Sequence, residues 1–495
     1  MQRWVVALVA VLASFVMSAG SDAQDARPVV IGQGFLAESL DPANGAAGWA
    51  WQSHGVAETL FTVDRQGRAI PNLAASVARE GDVWRLSLKP GLRFADGQRL
   101  DANAVKVALE RSIATNPRAK AQTGALTITV LGETALSLAP ERTVAAMDAV
   151  LAEFPLVIYR VDGERFVFTG PYQVSEYKRG ELVRLTANPH FRGAGDRPPV
   201  TIRRLTDPQA LALGLESGEL DIAFNLAAET LPRLKRRDGL VIKGTPVAYQ
   251  YMLLVNAAKA PLDDARVRRA VGLGINRADL VTALGAGEIA SGLYPRFMPW
   301  ALDTALGLDV AAAERLLDEA GWRRLSPGAA RQRDGKTLEL TLTNYPQRPD
   351  FLTLTPVIRA QLEAVGFRVR AESIDNITPY LQQKRFDLAF WTMHTAPGGD
   401  GAFALEQYLR ADAPLNVMGY ASAKLDSVLD RLRETTGFDA RAALIRDAQR
   451  EVLLDAPMIF LITPVWHVGL SARMAGYEPF PSDYYIVRSD LTLKP

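Results

Sequence analysis

Short apolar runs and helix-spaced apolar positions alternate along most of this chain. Tyr251 to Asn256 is an apolar run of buried-strand length, and beyond Asp263 the residues Val267, Ala270, Val271 and Leu273 fall at helical spacing. The pattern predicts a strand handing over to a helix near mid-chain. Pro261 stops the strand, and Asp263 and Asp264 place carboxylates near the positive end of the helix. Earlier, Val83 to Leu88 alternates as a half-buried strand, Pro90-Gly91 offers a turn, and Asp101 is placed to cap a helix starting at Ala102. Thr127 to Leu138 and Phe166 to Ala187 read as further strands and turns. In the second half, Ala312, Leu316, Leu317 and Ala320 share a helical face that Gly321 ends; Leu354 to Val365 predicts a helix, and Phe367 to Ile374 and Phe386 to Trp391 predict strands. Helix and strand alternating in this way predict an α/β fold.

At 495 residues the chain exceeds one typical core and suits two or three domains. A formal net charge of +1 excludes a strong field for nucleic acid or an anionic membrane. The first residues change the picture more. Arg3 precedes an apolar run from Trp4 to Met17 and then small residues, the plan of a secretory signal peptide, with cleavage after Ala19 or Ala23. A retained membrane anchor is the alternative, for which the run is short. With no cysteine, lipid attachment at the cleavage site, disulfides and thiolate metal sites are all excluded. The expected mature chain is therefore exported and soluble.

Catalytic signatures are missing. There is no G-x-S-x-G, no H-E-x-x-H and no cysteine nucleophile, and His54, His190, His394 and His467 lack metal-ligand spacing. Gly335-Lys336-Thr337 invites a phosphate-loop reading, but Ala330 stands where the first glycine must be and a strand follows. No enzyme activity and no cofactor are expected; a hydrolase, which would turn its ligand over where a binding protein releases it unchanged, is the alternative from another class.

Four segments carry a family resemblance. They are VNAAKAPLDDARVRRAVGLGINRADLV, the pattern W-x-L-x-L-K-P-G-L-x-F-x-D-G from Trp84 to Gly97, FTGPYQVSEYKRGELVRLTANPHF with Phe168 in place of a glycine, and RLTDPQALALGLESGELDIAFNL. In this order they resemble the solute-binding proteins of oligopeptide, dipeptide and nickel ABC importers, the extracellular solute-binding protein family 5. The resemblance implies two α/β lobes of the periplasmic-binding-protein fold, an extra subdomain in the first, and a ligand in the interlobe cleft. It places a signal peptide at 1–23, the first lobe at 24–256 with the subdomain at about 52–185, the second lobe at 257–472, and a return to the first at 473–495. Implied partners are a small solute and an inner-membrane permease with its ATPase; a monomer is expected.

The resemblance also suggests site residues. Where dipeptide binders have an aspartate that accepts the ligand ammonium, the segment Trp391-Thr392-Met393-His394 offers a histidine, a poor anchor for a cation when neutral. His394 either faces the ligand or is satisfied by its surroundings. Asp400 either takes over the anionic role or supports the PGGDG turn. Arg118 lines up with an arginine that grips chelator carboxylates in nickel binders, with a surface role as its alternative; Phe154 and Pro155 stand where a second such arginine is expected. Trp49, Tyr249, Trp391 and Tyr485 are candidate aromatic walls, each with a place in the core as its alternative. Two ligand classes follow, peptide-like solutes and metal chelates.

Overall fold

The computed structural model describes residues 27–193, 195–304 and 306–493; the expected signal peptide lies outside the described residues. Where neighbouring signals agreed, the predicted elements form. The strand Val83–Leu88 pairs with Ala74–Glu80 and Ala135–Pro140 in a four-stranded antiparallel sheet that Leu126–Val130 completes beyond Ala135–Pro140. Asp101 caps the helix Ala102–Thr115 by accepting from the Ala104 amide at 2.9 Å. Asp264 does the same for the helix Ala265–Leu273, whose Val267, Ala270 and Val271 are buried. Gly335 sits at positive φ in the turn between Gln332–Arg333 and Lys336–Thr337, so the lysine belongs to a small hairpin and not to a phosphate loop.

Two larger sheets organise the rest. Seven strands form the first, in the order Tyr172–Lys178, Leu182–Ala187, Val200–Arg204, Val29–Gln33, Ile222–Leu226, Val465–Ser471 and Leu240–Pro246. Its centre is parallel and its edges antiparallel. Six strands form the second: Glu288–Ile289, Met458–Thr463, Tyr249–Val255, Leu388–His394, Glu339–Asn344 and Arg368–Ser373. Each sheet has its own core. Ile31, Trp51, Ile202 and Val468 fill the first, Leu253, Val271, Phe390 and Ile459 the second, and Leu86, Phe94, Leu109 and Leu138 that of the small sheet.

Strand partners move the expected boundaries. Tyr249–Val255 was expected to close the first lobe, but it pairs with Leu388–His394 and Met458–Thr463 in the second sheet. Val465–Ser471 was expected in the second lobe and pairs instead with Ile222–Leu226 and Leu240–Pro246 in the first. An apolar run announces burial, not which sheet buries it. The small sheet's core runs from Leu60 to Ile158, whereas Tyr172–Lys178 and Leu182–Ala187, expected within the subdomain, edge the first sheet. We therefore propose crossings at Val247-Ala248 and at Pro464, and a subdomain of about 60–158. The two crossings lie side by side, since the Val247 amide donates to the Pro464 carbonyl at 3.2 Å.

Candidate functional site

In the second lobe the strand Leu388–His394 brings Trp391, Thr392 and His394 toward the junction of the lobes, and antiparallel register sets Tyr249 opposite His394. The chain's return through the first lobe adds the single turn Asp483–Tyr485, with Ser482 accepting from the Tyr484 amide at 3.2 Å. The helix Ala47–Ser53 contributes Trp49, stacked on Phe35 with ring centroids 4.2 Å apart. Rings from both lobes then converge. His394 lies 5.2 Å from Tyr249 and 5.1 Å from Tyr484, and Trp49 lies 6.4 Å from Tyr484.

Polar atoms within this aromatic cluster are incompletely satisfied. His394 is 9% exposed; its Nε2 meets the Ser482 hydroxyl at 3.2 Å and its Nδ1 has no hydrogen-bond partner. Burial pushes the imidazole down to about 3, so it is neutral near pH 7. Trp49 Nε1 also lacks a partner, as do Thr392 Oγ1 and Trp391 Nε1 on the neighbouring strand, the Trp391 indole lying near the Tyr408 hydroxyl but outside hydrogen-bond geometry. Buried donors and acceptors left this way are costly unless something occupies them.

Two charged residues face the same space. Asp483, also 9% exposed, accepts only long hydrogen bonds from the Tyr249 hydroxyl, at 3.3 and 3.5 Å. Burial pushes its carboxyl up to about 6, while the Tyr249 hydroxyl, the Arg348 charge and the nearby Trp49 indole pull it back. Trp49 Nε1 is close enough to contribute but misses hydrogen-bond geometry. Arg348 precedes the helix Pro349–Val365, and its guanidinium makes no hydrogen bond or ion pair among the described residues. Burial alone would lower its pKa, but Tyr251, Tyr345, Tyr249 and Asp483 raise it, so the charge is kept.

Other predicted site residues lie differently. Arg118 is exposed, with its guanidinium 5.9 Å from the centroid of Phe154, the residue standing where a second arginine was expected. Asp400 forms an ion pair with Arg441 and accepts from the Ala402 amide at 3.1 Å, which engages it in its own turn and leaves no free anion there. The Tyr485 hydroxyl accepts from Gln52, Thr62 and the Val63 amide, at 3.3, 3.1 and 3.4 Å. Its polar end is thus occupied. Trp391 is half-buried, 6.4 Å from Tyr345.

Beside the aromatic cluster a groove of about 1060 Å³ separates the subdomain from the second lobe, lined among others by Ala149, Glu153, Gly398, Asp400, Phe403 and Arg441. Glu153 is 8% exposed, and burial pushes its carboxyl up to about 8, against the Gly398 amide and the Arg118 charge that favour ionisation. The sequence reading missed Glu153, Arg348 and Asp483. Arg348 had a local signal, in Gln347-Arg348-Pro349 opening a helix; Asp483 had none, because what makes it unusual is contributed by Tyr249 and Trp49.

Residues 68–413 match the sequence model described as bacterial extracellular solute-binding proteins, family 5, middle. The chain belongs to this family. It is 27% identical over 538 residues to the glutathione-binding protein GsiB of Pectobacterium atrosepticum, covering 99% of this chain and 98% of that one. It is 22% identical over 451 residues to the nickel-binding protein NikA of Staphylococcus aureus, with 89% of each chain covered. Among solved structures, a nickel ABC transporter protein from Bacillus halodurans superposes with a TM-score of 0.81 at 25% identity, covering 94% of this chain and 99% of that one. NikA from Brucella suis in complex with Fe(III)-EDTA superposes with a TM-score of 0.84 at 20% identity, covering 94% and 100%, and shares the fold. The two-lobed fold expected from the sequence is thus the family 5 fold. Family 5 proteins are periplasmic or extracellular, bind small ligands and work with ABC transporters, and the relatives named here are binding proteins and not enzymes. No helix of the described residues is long and apolar enough to cross a membrane.

Proposed function

We propose that this family 5 protein is the exported binding component of an importer, capturing a peptide or peptide-like solute with a carboxylate between its lobes and delivering it unchanged to a membrane permease. The observation that carries this reading is Arg348. A guanidinium that keeps its charge in a ring of tyrosines, with no partner among the described residues, is matched to a ligand carboxylate. Trp49, Tyr249 and Trp391 supply walls, and Arg118 a second positive charge near the rim. Closure is a shift between open and closed populations, driven by contacts that only the closed form offers. Export through a cleaved leader, periplasmic location and action as a monomer belong to the same reading.

A metal chelate is the second reading, favoured by one observation. A neutral imidazole with a free, buried Nδ1 suits a coordination position on a chelated metal, and His394 provides it. Native mass spectrometry of protein purified without denaturation, with metal analysis of the same sample, separates the two. A bound organic solute with a carboxylate and no metal supports the first reading; stoichiometric nickel or iron with an organic chelator replaces it by the second.

A further inference from the structure

On the peptide-like reading, the junction also selects a second feature of the ligand. Carboxylates near the junction are mostly committed. Glu153 is held protonated by burial, Asp400 is paired with Arg441, and Asp350 accepts from the Tyr251 hydroxyl at 2.6 Å. His394 is neutral and offers no anion. Asp483 differs from all of these. It is nine-tenths buried, has no ion pair among the described residues, and its oxygens share one neutral donor at 3.3 and 3.5 Å. An ionised carboxylate has about four acceptor sites. One long, shared hydrogen bond, with its own amide and the Trp49 indole nearby but outside hydrogen-bond geometry, leaves most of that capacity unused in a place where water is largely excluded.

Position adds to this. Asp483 stands on the first lobe's returning chain, beside the unpartnered Trp49 Nε1, while the unpartnered Arg348 belongs to the second lobe. Their charges influence each other, yet they form no ion pair with one another. A ligand lying between them meets an anion on one side and a cation on the other, and satisfies both only when the lobes are together.

We infer that Asp483 is the acceptor for a ligand ammonium group, and that the clamp selects zwitterions of the amino-acid or peptide class with a free amino group. Near pH 7 the carboxyl is mostly ionised, and a neighbouring ammonium holds it so.

Wild-type protein stripped of ligand by unfolding and refolding, and an Asp483→Asn variant, are each offered an equimolar library of tripeptides with free amino termini and the same library after N-acetylation. Capture is read by native mass spectrometry. The expected wild-type preference for free amines is roughly tenfold or more, the scale of one buried charged contact, and Asp483→Asn reduces it to near unity. If Asp483→Asn does not reach the wild-type melting profile, Asp483→Ser, which keeps an oxygen for the Tyr249 hydroxyl, replaces it. A preference that survives the substitution, or a wild type that captures both libraries equally, overturns the role of Asp483 and leaves the peptide reading standing. A wild type that captures neither library overturns both.

Discussion

Gly398 of the second lobe stands so close to Ala149 of the subdomain that a Cβ added to the glycine would lie 2.2 Å from the alanine carbonyl oxygen. Its neighbour Gly399, at positive φ, would bring a Cβ to 2.5 Å from the Ala69 amide nitrogen. Backbone thus meets backbone across the lobe junction, with no room for a side chain. The PGGDG turn is thus where the second lobe seats on the subdomain. Gly398→Ala is therefore expected to weaken ligand binding by roughly tenfold or more, equivalent to about 1.4 kcal/mol, while leaving the melting temperature of the ligand-free protein nearly unchanged. Titration calorimetry and thermal melts check it; equal loss in both would mean that the glycine serves folding and not closure.

Glu153 lies against this same turn, and its carboxyl is pushed up to about 8 by burial. A carboxyl whose folded pKa is raised stays protonated where the unfolded chain has already ionised. Its contribution is therefore most favourable below the ordinary value of 4.5 and is lost as pH rises toward about 8. If opening the lobes returns it to water, closing takes up a proton in that window. Affinity should then fall several-fold between pH 6 and pH 8, and Glu153→Gln should flatten the profile. An unchanged slope in the variant would remove Glu153 from the closing equilibrium.

Arg348 carries the proposed carboxylate contact. Arg348→Gln keeps a donor and removes the charge, with an expected loss of about 2 kcal/mol or more, roughly thirtyfold in Kd. The effect should vanish for a ligand whose carboxylate has been amidated, which calorimetry on both forms can show. Equal losses for acid and amide would mean that the residue only shapes the wall.

His394 bridges the two lobes through Ser482 and leaves Nδ1 free. His394→Ala is expected to weaken binding by roughly tenfold and Ser482→Ala by less. Affinity equal to wild type in a correctly folded His394→Ala protein would take the imidazole out of the site.

Local signals were the legible ones. Turn, cap and alternation all fall within Trp84 to Ala102, and the structure reproduces each, including the Asp101 cap. The helix expected from Leu354 begins at Pro349, because proline at a first helical position needs no amide partner. That extension places Arg348 at the helix entrance, which the apolar spacing alone did not show. The lobe boundaries were hidden for a different reason: Tyr249–Val255 finds its partners at Leu388–His394 and Met458–Thr463, far along the chain. Trp49, Tyr249 and His394 were expected near a ligand and do come together. Asp483 was not expected, since its lack of partners is a property of the assembled junction.

Small-angle scattering on the ligand-stripped protein and on the protein as purified with its ligand tests the clamp itself. A smaller radius of gyration is expected with ligand, and a Gly398→Ala protein is expected to need roughly tenfold more ligand to reach the same compaction. Superimposable profiles for stripped and liganded wild type, both matching a closed body, would contradict it.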